Sequence, residues 1–351
     1  MSKSSYRVIQ WATGRLGKIA IRHFTENPAF TLVGAYVSNP EKAGKDAGEI
    51  AGIAPTGVLT TNDVDAILAL DADCVFYSPA RSDVEVICRL LRSGKNVVTS
   101  TSFFYPTDDF RAQYDQIEAA CREGGTSFHG GGIHPGYAGD LLPLTLTRIM
   151  NRLDKVEVHE IVNFLDEDTE ALEHLPLMGF AIDPKEFESR PNLLSGAYKI
   201  FAQSQAMIAE GLGRKIDNVT TRVEVATATK DIALPGALIP KGTVAAQRHE
   251  WTAWSEGKPL VVFYACYTIG NEDMEPDWRF GKTRYRVIMA GDPPTELVLQ
   301  GAELPGEHLP HPGYTWTAMG GVTAIPAVCE APPGVVSHLN VGLVRPLGLV
   351  R

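Results

Sequence analysis

The sequence holds no apolar run of the ~20 residues that a bilayer-spanning helix requires, which excludes a helical membrane protein. Ahead of the first hydrophobic stretch stands only MSKSSYR, with no apolar leader, so a cytoplasmic location is expected. Cysteine is scarce. Cys74, Cys88, Cys121, Cys266 and Cys329 are scattered, and neither a disulfide framework nor a zinc pattern can be read from them. In apolar surroundings they read as small buried hydrophobes in a reducing compartment. Positive charge is outweighed, 32 Lys and Arg against 42 Asp and Glu. That balance argues against nucleic acid and against an anionic membrane surface as partners. No internal repeat, charge tract or low-complexity segment is present. What remains is 351 residues of 44% apolar content, enough for two domains with full-sized cores.

The stretch Tyr6–Phe24 (YRVIQWATGRLGKIAIRHF) organises the rest. Val8, Ile9 and Trp11 form a short apolar run typical of a buried parallel strand. Gly14, Arg15, Leu16 and Gly17 form a tight turn, after which Leu16, Ile19, Ala20, His23 and Phe24 recur at helical spacing. A strand, a glycine turn and a helix leave backbone N–H groups at a helix N-terminus, where a phosphate is favoured. Ala12 stands where the full glycine fingerprint would have its first glycine, so the pattern is a shortened one.

Strand and helix patterns then alternate. Strands are expected at Thr31–Val37, Cys74–Tyr77, Asn96–Thr99 and Ser127–His129. Helices are expected at Asp63–Leu70, at Ser82–Leu91 closed by Gly94, and from Asp108 or Asp109 through Cys121, closed by Gly124. This is the pattern of an α/β, Rossmann-type parallel sheet, expected over 1–137. Ligands of such sheets lie beyond the carboxyl ends of the strands. The segments found there are the glycine turn, Ser38-Asn39, Ser78-Pro79-Ala80, Thr99–Phe103 and Gly130–Tyr137. No carboxylate follows the second strand at the place where it would bind a ribose 2′-hydroxyl. Ser38 and Asn39 can instead donate to a 2′-phosphate, and Lys42 or Arg15 can neutralise it, so the expectation leans to NADP over NAD. An ordinary solvated loop is the other reading of those residues.

From Ala138 the pattern changes. Leu141 to Leu153 reads as an apolar helix capped by Asp140, and Asp166–Pro191 as loops and short helices. Leu193–Leu212 reads as a long helix. Strand-like runs at Val156–Leu165, Val219–Thr227, Thr243–Ala253, Leu260–Ile269, Thr283–Met289 and Thr295–Leu299 suggest a second α+β domain over 138–309. Its sheet should be mostly antiparallel, with a bare face expected to serve a homodimer. Residues 310–351 are expected to return to the first domain, with Tyr314–Glu330 as one helix containing Pro326.

Four stretches, QWATGRLGK, NVVTSTS, GGGIHPGYAGDLLPL and HPGYTWTAMGGVTAIPAVCEAPPG, run in order over nearly the whole chain. With them the chain resembles the nicotinamide-dependent dihydrodipicolinate-reductase-like superfamily. It is most similar to the branch containing 2,4-diaminopentanoate dehydrogenase and the amine dehydrogenases. The resemblance implies hydride transfer between NAD(P) and an amine or imine carbon, with a small amine or carbonyl substrate and possibly ammonia. It also implies a glutamate soon after the strand matching Asn96–Thr99, whereas Ser100–Thr107 contains no carboxylate. Asp108, Asp109, Glu160 and the Asp166–Asp168 group are the remaining carboxylates weighed for that place.

The site expected from all this has Gly14, Arg15, Leu16 and Gly17 at the pyrophosphate and Ser38, Asn39 and Lys42 at the adenosine ribose. Ser78, Pro79, Ala80, Thr99 and Ser100 run along the cofactor. His134 is placed to hydrogen-bond the substrate or pass a proton, or else to order its loop. Asn163 is a second polar candidate, and Phe103, Tyr137 and Met178 are candidates for the substrate wall. No metal is expected, since His129 and His134 lack a third ligand. A dehydrogenase of alcohols or carbonyls, and a nucleotide-binding protein without catalysis, remain open as alternatives.

Overall fold

The computed structural model describes residues 3, 5–166, 175–190, 195–302, 312–342 and 344–349. The chain divides into two compact units, Met1–Tyr137 with Gly313–Arg351, and Ala138–Pro312.

The first unit contains β1 (Tyr6–Trp11), α1 (Arg15–Glu26), β2 (Phe30–Tyr36), α2 (Ala47–Ala51), β3 (Thr60–Thr61), α3 (Val64–Leu68), β4 (Cys74–Tyr77), α4 (Val84–Arg92), β5 (Asn96–Thr99), α5 (Arg111–Gly124) and β6 (Ser127–Gly130). All strand pairs are parallel, in the order β3-β2-β1-β4-β5-β6, and a tail strand, Gly334–Val336, extends the sheet beside β6. Strand alternation divides the apolar residues between two faces. Ile9, Val75, Val97 and Phe128 face Ile87, Leu90 and Leu91 of α4 and Tyr114 and Ile117 of α5. Tyr6, Val8, Phe76 and Val98 face Ala20 and Phe24 of α1 and Val322, Ile325 and Val328 of the tail. Each large apolar side chain withdrawn from water here contributes about 1.5–3 kcal/mol.

The tail is not one helix. It forms Gly313–Val322 and Ile325–Cys329, with Pro326 in the first turn of the second, where its missing N–H costs nothing. The tail strand is too short to show any alternation in sequence. Helix α5 runs through Gly124, and the residue that closes it is Gly125, which takes the left-handed conformation (φ 64°). Gly124 instead allows close packing: a Cβ there would lie 2.0 Å from the Leu91 carbonyl oxygen. Asp108 and Asp109 are exposed in a 3-10 turn leading into α5 and do not cap it.

Asp46 fixes the loop between β2 and β3. Its carboxylate accepts from the backbone N–H of Gly48 (2.7 Å), Thr56 (2.9 Å) and Gly57 (2.7 Å) and from the Thr56 hydroxyl (3.2 Å). Burial pushes this carboxyl up, and the donors from Thr56, Gly48 and Gly57 overcome that and hold it below the ordinary aspartate value. A depressed folded-state value means the stabilisation is full above about pH 4 and is lost as pH falls further. Asp46→Asn should therefore melt earlier than the wild-type chain near neutrality, and the gap should close in an acid titration of the two melting curves.

The second unit opens with α6 (Leu141–Leu146), capped by Asp140, whose carboxylate accepts from Leu141 N–H (2.7 Å) and the Ser204 hydroxyl (2.6 Å). This helix is shorter than expected; Leu153 already belongs to β7 (Arg152–Asn163). Of the acidic stretch that follows, Glu167, Asp168 and their neighbours to 174 lie outside the described residues; Leu175–Met178 is a 3-10 turn and Pro184–Glu188 a short helix. The strands are β8 (Asn218–Ala228), the hairpin β9 (Ile232–Leu234) and β10 (Ala237–Ile239), then β11 (Val244–Ser255), β12 (Lys258–Thr268), β13 (Met274–Glu275), β14 (Arg284–Asp292) and β15 (Thr295–Gln300). The seven-stranded sheet runs β13-β8-β11-β12-β7-β14-β15 and is antiparallel except for the parallel pair β12–β7. Helix Ser195–Gly211 packs on it, and its buried Gln205 donates to the carbonyls of Trp251 (2.9 Å) and Val261 (3.3 Å).

Candidate functional site

At the end of β1 the chain turns through Ala12, which holds φ 73°. That is the left-handed region, and an L-residue pays about 1–2 kcal/mol to occupy it. The missing first glycine of the fingerprint is thus met as backbone strain at this turn. Ala12→Gly should raise thermal stability, by at most about 1 kcal/mol after the entropy of a freer unfolded chain is subtracted. Gly14 caps α1 without a side-chain hydrogen bond, and the first turn of α1 has no acidic residue. A Cβ on Gly14 would meet nothing within 4 Å, whereas one on Gly17 would lie 2.1 Å from the Ala12 carbonyl oxygen. The two glycines therefore serve different ends, one open approach and one close packing.

Sequence reasoning missed Gln10. It is fully buried, and its amide nitrogen lies within hydrogen-bond reach of the Ala12 carbonyl (2.8 Å), the Ser78 hydroxyl (2.9 Å) and the Trp11 carbonyl (3.1 Å). This one side chain fastens the glycine turn to the end of β4. A polar residue inside an apolar strand, just before the turn, was the available signal. Arg15 lies beside the turn with its guanidinium carbon 4.7 Å from the centroid of the Tyr314 ring.

The other strand ends lie along the same edge of the sheet. Ser38 and Asn39 are exposed after β2; the Asn39 side-chain oxygen accepts from Glu41 N–H (2.9 Å), and Lys42 is half-buried. Pro79 is half-buried and Ala80 exposed, while the Ser78 hydroxyl is engaged with Gln10. Thr99 is fully buried and its hydroxyl donates to the Tyr77 carbonyl (2.8 Å), so it ties β5 to β4. The Ser100 hydroxyl donates to the Gly131 carbonyl (2.6 Å), and Gly131 N–H donates to the Thr99 carbonyl (2.8 Å). The loop after β6 is thereby fixed to the end of β5 three residues before His134, which is half-buried; Tyr137 is 40% exposed.

Glycines make this loop fit the tail helix Gly313–Val322. A Cβ on Gly320 would lie 2.5 Å from the Gly132 carbonyl oxygen, and one on Gly321 would lie 2.7 Å from the Phe76 ring. His129, at the end of β6, is wholly buried, and its Nδ1 donates to the Val336 carbonyl (3.0 Å) of the tail strand. Burial, with His338 close by, pushes it down to about 3, so it is neutral and holds the tail strand. Among the described residues no group of three or more His, Cys, Asp or Glu is arranged to hold a metal ion, and no helix is long and apolar enough to cross a membrane.

Three further expected site residues are engaged within their own units. Phe103 is 4% exposed and packs edge-on against Phe110, Tyr114 and Phe128, in the core of the first unit. Asn163, at the end of β7, spends its amide on the backbone: its oxygen accepts from Gly270 (3.0 Å) and Leu165 (3.1 Å), and its nitrogen donates to Gly281 (3.3 Å). Met178 packs on the core of the second unit. Glu160 is buried and accepts from the Tyr267 hydroxyl (3.1 Å) in that same unit.

Residues 8–125 match the family model for the N-terminus of dihydrodipicolinate reductase, and residues 137–348 match the 2,4-diaminopentanoate dehydrogenase C-terminal domain. An amine dehydrogenase from Streptomyces virginiae is 30% identical over 362 aligned residues, covering 97% of each chain. A 4-hydroxy-tetrahydrodipicolinate reductase from Mastigocladus laminosus is 41% identical over 63 residues, 18% of this chain and 23% of that one. Among solved structures, an amine dehydrogenase from Mycobacterium smegmatis shares the fold with TM-score 0.77 at 18% identity over 98% of both chains. A dipicolinate-bound dihydrodipicolinate reductase from Paenisporosarcina sp. TG-14 does so with TM-score 0.51 at 16% identity, over 96% of this chain and all of its own.

Proposed function

Because this chain belongs to the family that joins a dihydrodipicolinate-reductase N-terminus to a 2,4-diaminopentanoate dehydrogenase C-terminal domain, we propose that it is an NAD(P)-dependent oxidoreductase acting at an amine or imine carbon. The observation that carries the reading is the turn at Gly14. It joins a helix N-terminus lacking acidic residues to a glycine whose Cβ position faces open space, with a guanidinium alongside. Those residues fit a dinucleotide diphosphate, which needs backbone N–H donors, close approach and positive charge. When bound, the nicotinamide supplies or takes up the hydride.

The chain's own residues have the rest to do. An imine carbon accepts hydride readily when its nitrogen carries a proton, so a group must hold that cation or move its proton. Ser100–Thr107 has no carboxylate for this. In this proposal His134 takes the task, supported by the two hydrogen bonds that fix its loop to β5. Ser38, the amide N–H of Asn39 and Lys42 meet the ribose side, and Pro79 and Ala80 flank the cofactor. Replacing Ser38 and Lys42 together by alanine should weaken NADP binding about tenfold and NAD binding by less than twofold. An equal loss in dinucleotide titrations would remove the case for NADP.

The test of function is a substrate panel. Purified protein is given NADPH or NADH with ketones and aldehydes, with and without ammonia, and NADP or NAD with amines and alcohols. Ammonia-dependent coenzyme oxidation is expected. Turnover that ignores ammonia and extends to alcohols favours the carbonyl reading, which the missing carboxylate also favours. Binding without turnover of any substrate leaves a nucleotide-binding protein.

A further inference from the structure

We infer that Tyr314 positions Arg15 for the dinucleotide diphosphate, an inference that rests on the cofactor reading above and adds to it a residue from the far end of the chain. Arg15 is the first residue of α1 and follows the open Gly14. Its guanidinium lies 4.7 Å from the Tyr314 ring centroid, within the range where the negative face of an aromatic ring attracts a cation. Stacking uses the flat face of a guanidinium, whereas oxyanions bind at its N–H edge, so one side chain can do both at once. An arginine left to itself loses much rotamer freedom when it grips a phosphate. A ring already holding the guanidinium removes part of that cost before the ligand arrives.

The ring is itself held. Tyr314 lies in the first turn of Gly313–Val322, which packs against α1. The helix is seated on the glycine loop where Gly320 meets the Gly132 carbonyl and Gly321 meets Phe76 and Ser100. The Ser100 hydroxyl also lies 3.3 Å from the Thr317 carbonyl. The diphosphate is common to NAD and NADP, so Tyr314 should govern affinity for both alike, unlike Ser38 and Lys42.

The experiment uses the full chain, with NADPH, NADH, ADP and adenosine as probes in calorimetric titration. Tyr314→Leu should raise Kd for NADPH, NADH and ADP by about five- to tenfold and leave adenosine, which has no phosphate, unchanged. Tyr314→Phe, which keeps the ring face, should stay within about twofold of wild type. In an Arg15→Ala background the Tyr314→Leu change should add nothing further. Tyr314 is 38% exposed, so folding should survive replacement, and Tyr314→Gln is a second variant with the same expectation. Unchanged diphosphate affinity in both variants, or losses that add to those of Arg15→Ala, would overturn the inference while leaving the cofactor reading in place. A wild-type chain that binds neither NADPH nor NADH would overturn both.

Discussion

Gly17→Ala is expected to lower stability by about 3 kcal/mol or more, while Gly14→Val costs the fold little and removes dinucleotide binding. The two residues stand three apart in one turn, yet their surroundings are opposite. At Gly17 the new methyl would lie 2.1 Å from the Ala12 carbonyl oxygen, backbone that Gln10 holds in place by its own hydrogen bond. Nothing there can retreat, so the substitution falls at the severe end of overpacking. It should show as a melting temperature lower by roughly 6–12 °C, at about 2–4 °C per kcal/mol for a unit of this size. At Gly14 the methyl groups enter open space. Valine is a poorer helix cap than glycine, which costs up to about 1 kcal/mol. On the proposed reading its bulk would stand where phosphate approaches, and a rise in Kd of about 100-fold is expected, some 2.8 kcal/mol. Both coenzymes should be affected. Unaltered coenzyme binding by Gly14→Val would remove the diphosphate from this turn.

The second large effect is expected at Gly320. Read as a helix position, Gly320→Ala should stabilise, by about 1 kcal/mol, because glycine is a poor helix former. The packing reverses the sign. The added Cβ would lie 2.5 Å from the Gly132 carbonyl oxygen and 2.9 Å from its carbonyl carbon. Either the tail helix lifts from the loop or the loop moves, and we expect a net loss of about 2 kcal/mol. Because the moving loop carries His134, turnover should fall at least tenfold. Thr315→Ala, at an exposed position of the same helix, is the control and should be neutral or slightly stabilising. Equal stability changes at the two positions would show that the loop contact does not decide the outcome.

The difference between Gly14, Gly17 and Gly320 marks where sequence reasoning stops. The strands of the first sheet were legible because apolar runs such as Asn96–Thr99 are bounded by residues that cannot continue them, and β5 has those bounds. The parallel sheet, and a mostly antiparallel second one, followed from the same rule. The glycine turn was legible as a turn, since glycine spacing is local. Which glycine stands open and which faces a carbonyl depends on Gln10 and Ala12, and on whether a distant segment arrives. Gly320 meeting Gly132 is a contact between residues far apart in the chain, with no periodicity to announce it. The enclosure of Phe103, expected as a candidate for the substrate wall, was hidden for a similar reason. Its neighbours Tyr114 and Phe128 come from an amphipathic helix and a strand, and only their assembly shows that the ring is enclosed. At Asn163 an amide at a strand end looked like a ligand group, and it serves the backbone groups of three other residues.

The tail strand beside β6 bears on how the molecule is made. A ribosome releases Ser127–Gly130 about two hundred residues before Gly334–Val336, the strand that covers its outer side. Throughout that interval the nascent sheet offers a bare row of amide and carbonyl groups to any other unfinished chain nearby. The sheet of the first unit is therefore incomplete until Gly334–Val336 has been synthesised, and a message truncated ahead of Gly334 would yield a product prone to associate edge to edge.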